Sequence, residues 1–187
     1  MKSDVTRINI QTVEIFSQIH TWRALDEFPR PWLDAAARTI ADWLSASAVT
    51  INRRHCGLFW VSDLDSIAAD RIFELSRRND SGWFVSPRAF RSTLPSIDPA
   101  ALALQLVITG PVMTFSIEAE PLVAEQSARR WLLAGRLTAA IVIDEFTPKP
   151  ETPGADDRHQ SDKHTRLIRC QLMLAAPNDP RDSTASR

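Results

Sequence analysis

Two short runs, "HCGLFWVS" at 55–62 and "LTAAIVIDEF" at 137–146, are apolar almost throughout. A strand with one wet face alternates polar and apolar residues, so a run without alternation needs cover on both faces. The segments around these runs have helical spacing. After Pro31, the residues Leu33, Ala36, Ala37, Ile40 and Leu44 fall on one stripe at the 3.6-residue period, with Pro31 at the helix start. Helical spacing returns over 66–78, and Ser86-Pro87 and Asp98-Pro99 each read as a capping residue followed by the first helical position. A further helix is expected from Pro121 to Ala134, closed by Gly135 as a left-handed cap. Strands are expected at Val5 to Ile19, Val112 to Ile117 and Arg166 to Ala176. Strands alternating with helices predict an α/β fold with a mainly parallel sheet covered by helices.

The 187 residues suit one domain with tails. Apolar residues make up 44%, charged residues 24%, and the net charge is −1, which gives no nucleic-acid field and no bias toward a membrane surface. No run of eighteen apolar residues is present to span a bilayer, and the N-terminal segment lacks a signal peptide's apolar stretch, so a cytoplasmic location is expected. The stretch 147–165, "TPKPETPGADDRHQSDKHT", has almost nothing to bury and reads as a flexible surface loop, and 177–187 reads as a disordered tail.

Chemistry points to "TGPVMTFSIEAEP" at 109–121, where a Gly-Pro turn feeds a strand that bends sharply into a helix at Glu118, Ala119 and Glu120. Enzymes mount nucleophiles on such turns, and this one carries alanine. The order helix, Gly-Pro, strand, sharp turn, helix ending in Gly, strand is similar to the N-terminal half of the β-ketoacyl-acyl carrier protein synthases, which have the thiolase fold. In that family a "GP..T.S.AC" stretch carries the catalytic cysteine, and Gly110, Pro111, Thr114, Ser116 and Ala119 stand at the matching positions. The strand after the next helix ends, in the family, in a Gly-Gly-x-Glu turn, which is Ile143, Asp144, Glu145 and Phe146 here. "SPRAFRSTLPS" resembles the segment upstream of Gly-Pro, and "HCGLFWVSDLDS" takes the place of the second strand. The chain resembles short, N-terminal-domain-only relatives of ketosynthases and chain-length factors.

The resemblance implies half of a thiolase-like fold over 1–176. It also implies a chain that performs no condensation, because the cysteine position holds Ala119 and the family's two histidines belong to a second half for which the residues after Phe146 leave no room. A catalytically inactive subunit or accessory factor in fatty-acid or polyketide type biosynthesis is expected, needing no cofactor and no metal. It would pair through Val112, Met113, Thr114, Phe115, Ser116 and Ile117 with a full-length β-ketoacyl synthase or with itself, and bind an acyl chain or an acyl carrier protein. Arg129, Arg130 and Arg136 are candidates for carrier docking; the alternative is a solvated helix face. Glu118 and Glu120 complement the positive end of the following helix; in the competing reading, one of them is an acid or base on an acyl thioester.

The remaining motifs carry less. Cys56 and Cys170 lack zinc-ligand spacing and read as reduced core residues. His55 and Cys56, adjacent on a strand, point to opposite faces. His159 and His164, with Asp156, Asp157 and Asp162, form a weak metal-like grouping on a flexible segment, and Asp63 and Asp65 read as turn residues. Trp43, Trp60 and Trp131 are expected in the core, whereas Trp22, Trp32 and Trp83 near element ends are loop anchors or interface residues.

Overall fold

The computed structural model describes residues 8–23, 31–47, 50–62, 73–75, 77–78, 90, 94, 96–116, 122–146 and 163–177. In chain order the elements are β1 (Ile8–Arg23), α1 (Pro31–Ala46), a 3-10 turn (Arg53–His55), β2 (Cys56–Ser62), α2 (Ile97–Gln105), β3 (Val112–Ser116), α3 (Val123–Leu133), β4 (Ala139–Phe146) and β5 (Lys163–Pro177). The strands form a five-stranded sheet in the order β1-β5-β4-β2-β3.

β2 lies between β3 and β4 and is parallel to both, with Ser62 in register with Ser116 on one side and Glu145 on the other. β5 is antiparallel to β4 and to β1. The expectation of a mainly parallel sheet therefore holds for the β4-β2-β3 half. The other half is antiparallel, and the sequence between β4 and β5 has no apolar periodicity from which to build the crossover helix that a parallel pair needs.

The sheet is covered on both faces. On one, Leu58 and Trp60 of β2, Ile141 and Ile143 of β4, and Cys170 and Leu172 of β5 pack with Leu33, Ile40 and Leu102 of α1 and α2. On the other, Phe59, Val61, Val142 and Met173 pack with Ala124, Ala128 and Leu132 of α3. Alternate β2 residues thus enter opposite clusters, and all seven of its residues are buried, which is what an unalternating apolar run requires. A bulge between Glu14 and Phe16 shifts the register of β1 against β5, so that Ile10 packs on the α3 side while Phe16 packs on the α1 side.

α2 and α3, which lead into β3 and β4, end in the same hydrogen-bond pattern. In α3, Gly135 N–H donates to Leu132 and Arg136 N–H to Trp131, around Gly135 at φ +66°. In α2, Val107 N–H donates to Leu104 and Ile108 N–H to Ala103. These are two Schellman caps. The left-handed position of the second is filled by a β-branched residue, Val107, at φ +55°. Gly110 then passes so close to β2 that a Cβ on it would lie 2.1 Å from the Cys56 carbonyl oxygen.

Several boundaries differ from those the sequence predicts. α2 starts at Ile97 with Ser96 as N-cap, and Asp98 is buried inside the first turn rather than capping it. Proline is tolerated throughout a first turn, where N–H groups have no intrahelical acceptor, so Asp-Pro does not fix the start. β5 begins at Lys163, inside the segment read as loop, and runs to Pro177, the first residue of the expected tail. His55 lies in the 3-10 turn, exposed, while Cys56 is buried.

Candidate functional site

In a doubly wound sheet, ligands and reactive groups gather beyond the carboxyl ends of the parallel strands, at the point where the connections diverge to opposite faces. That point here is the end of β2: the route to β3 passes through α2 on one face, and the route from β3 to β4 returns through α3 on the other. At the ends of the three strands Ser116 of β3, Ser62 of β2 and Glu145, the last but one residue of β4, form a row. In-register partners share a face, so all three side chains lie on the side of Trp60 and α1.

Glu145 is the centre of this row. Its side chain is buried, at 1% exposure, and Oε2 accepts hydrogen bonds from the Ser62 hydroxyl at 2.8 Å and the Trp60 indole N–H at 3.3 Å. The Trp60 ring in turn packs against Trp32 with centroids 5.4 Å apart. Trp32, read from sequence as an anchor or interface residue, is therefore a core residue at 3% exposure. A buried carboxylate must be hydrogen-bonded to be tolerated. Glu145 thereby ties the end of β4 to the end of β2 and to the first turn of α1. The preceding residue, Asp144, points to the opposite face and accepts from Arg169 Nε at 2.9 Å and Nη2 at 2.5 Å.

This arrangement can orient and fix the strand ends. Ser62 is 2% exposed and already donates to Glu145. The two cysteines are free and buried. Burial pushes the Cys56 thiol up to about 12, against a lowering by the nearby Arg53 charge and an Ile141 backbone hydrogen bond. Burial and the Asp144 charge push Cys170 higher still. Cys56 aligns with Ala139, and Cys170 with Ile143, four residues or roughly 13 Å further along the strands. They are core thiols. No group of three metal-ligating side chains occurs among the described residues, and no helix among them is long and apolar enough to cross a membrane.

The elbow residues Ile117, Glu118, Ala119, Glu120 and Pro121 lie outside the described residues, as do Asp63, Asp65, Trp83, Ser86, Pro87, Asp156, Asp157, His159, Asp162 and the stretch 147–162. Val112 to Ser116 form β3, which is terminal among the described strands of the sheet. Leu58 N–H donates to the Pro111 carbonyl at 2.9 Å, which sets the parity of the β2-β3 ladder. Main-chain groups of residues 111, 113 and 115 face β2, and the N–H groups of Val112, Thr114 and Ser116 point away from it. Arg129, Arg130 and Arg136 are exposed; Arg129 pairs with Glu125 at 3.3 Å, and the Arg136 guanidinium lies 5.4 Å from the Trp131 ring centroid. Trp43 and Trp131 are partly buried against the two clusters.

Sequence reasoning placed Glu145 at the end of a buried strand and in the turn that matches the family's Gly-Gly-x-Glu, and gave it no role of its own. The signal was present: two acids closing an apolar run on the strand beside the switch point.

No family model and no curated protein matches the sequence. Among solved structures, the chain is similar to the ishigamide ketosynthase/chain length factor, with a TM-score of 0.48 and 17% identity over 75% of this chain and 39% of that one. It is similar to a β-ketoacyl synthase from Burkholderia phymatum STM815, with a TM-score of 0.49 and 14% identity over 78% of this chain and 41% of that one. A ketosynthase in complex with its chain length factor from Xenorhabdus doucetiae gives 0.41 and 11%, over 91% and 80%. The chain spans about two fifths of the length of the first two.

Proposed function

We propose that this chain is a non-catalytic, ketosynthase-like subunit of a fatty-acid or polyketide type assembly, which joins a β-ketoacyl synthase or a second copy of itself through β3. The observation that carries this reading is the position of β3 at the edge of the sheet formed by the described strands, with the N–H groups of Val112 and Thr114 directed away from β2. The strand "VMTFS" has no charge and no proline to blunt that edge. Strand addition matches such an edge to another strand through main-chain hydrogen bonds. Ala119 at the elbow position supports a role without covalent catalysis, since alanine offers no nucleophile. The buried Glu145, held by Ser62 and Trp60, supports a scaffold role for the strand ends. The exposed Arg129, Arg130 and Arg136 offer a cationic face to an acidic acyl carrier protein.

The test is incubation with acyl- and malonyl-acyl carrier proteins, alone and with a full-length synthase, reading carbon-carbon bond formation and native mass together. The expected result is no product from the chain alone and a stable complex, with the synthase or with itself. Turnover by the chain alone, or a monomer that binds no synthase, overturns the reading.

A further inference from the structure

At the amino ends of the parallel strands, opposite the Glu145 row, a cleft of about 260 Å³ opens between the last turn of α1 and the end of α2. Its inner surface is Leu44, Ile51, Cys56, Leu106, Ile108 and Ile141. Of these, Cys56, Leu106, Ile108 and Ile141 are buried in the α1-side core. The rim is polar: Ser45, Thr50 and Arg53, with Arg53 and Arg54 side by side on the exposed 3-10 turn. No acidic residue occurs between Asp42 and Asp63 or between Asp98 and Glu118, the two stretches that supply every lining residue but Ile141. The Cys56 thiol stays protonated, because burial pushes it up to about 12, and adds no negative charge to the floor. An apolar pocket with a few convergent polar groups is the usual form of a small-molecule site.

We propose that this cleft binds a small amphipathic carboxylate, its unbranched tail on the apolar floor and its head on the Arg53 guanidinium. The Arg53 side chain is held in place by donating from Nη1 to the Leu106 carbonyl, and a guanidinium has five N–H groups, so donors remain for a carboxylate. At about 30 Å³ per water-sized group, the volume takes on the order of eight such groups, which sets the tail near that of octanoate. This site goes beyond the proposed subunit role and does not depend on it, since it lies at the other end of the strands and uses neither β3 nor the elbow.

Calorimetric titration of the purified protein with butanoate, hexanoate, octanoate and dodecanoate tests it. Affinity should rise about fourfold per methylene up to octanoate and then level off. Octyltrimethylammonium, with the same tail and the opposite charge, should not bind. Arg53→Gln should weaken octanoate at least tenfold, while Arg53→Lys keeps most of the affinity. Ser45→Trp, which fills the cleft from an exposed rim position, should abolish binding in a protein that circular dichroism shows to be folded. Absence of saturable octanoate binding, equal binding of the cationic analogue, or unchanged affinity in folded Ser45→Trp overturns the proposal. Should Arg53→Gln fail to fold, the Arg53→Lys and Ser45→Trp titrations decide it.

Discussion

Replacing Val107 by glycine should stabilise the protein, although it removes a side chain. An L-residue in the left-handed region costs about 1–2 kcal/mol, and a β-branched one lies at the upper end. Two terms oppose the gain. Glycine loosens the unfolded chain, at about 0.4–1 kcal/mol. The side chain is 58% exposed, so the burial lost on its removal is only about 0.5 kcal/mol. The difference is about 0.5–1 kcal/mol in favour of Val107→Gly, a rise of about 1–4 °C in Tm for a chain of this size. The reciprocal change, Gly135→Val, meets no atom within 4 Å of its Cβ, so it should lose about 1 kcal/mol through conformation alone. Urea unfolding of both variants with unchanged m-values is the assay. If Gly135→Val loses stability as expected and Val107→Gly does too, the valine contributes something at the α2 end that outweighs its backbone strain, and the reasoning fails.

Glu145→Leu leaves the Trp60 N–H and the Ser62 hydroxyl without their acceptor and should cost about 2–4 kcal/mol in urea unfolding, whereas Glu145→Gln keeps an acceptor and should cost about 1 kcal/mol; equal costs would show that the hydrogen bonds contribute little. Both thiols have pKa values raised in the folded state, so the stability they confer is present below pH 9 and is lost as pH rises through the range above it. At pH 10 each should have lost about 1 kcal/mol, and Cys56→Ala should flatten the decline between pH 9 and pH 10.5; an unchanged slope would place the effect elsewhere.

What could be read from the sequence was local. β2 and β4 declare themselves because their apolar runs, Cys56 to Val61 and Ala139 to Ile143, do not alternate with polar residues. Gly135 was legible because the left-handed cap has a preferred residue, and Val107, the same motif filled by a disfavoured one, was invisible for that reason. The direction of β5 accords with the loop-like composition of 147–162, which has no apolar periodicity from which to build the crossover helix that parallel neighbours need. The pairing of β1 with β5 joins the two ends of the described chain and has no local signature. Trp32 and Glu145 were misplaced or missed because their burial comes from each other's neighbourhood, through Trp60, across more than a hundred residues of sequence.

The central claim is that β3 is an open edge which joins another chain, and paired proline variants test it most directly. Met113 N–H faces β2 and Thr114 N–H faces outward, so the two substitutions remove donors on opposite sides of one strand. Met113→Pro should destabilise the fold itself. Thr114→Pro should leave it intact by circular dichroism and abolish association, with a synthase or with a second copy, in measurements of solution mass. A folded Thr114→Pro that keeps the wild-type assembly, or a wild-type chain that remains a monomer beside every synthase offered, would contradict the account.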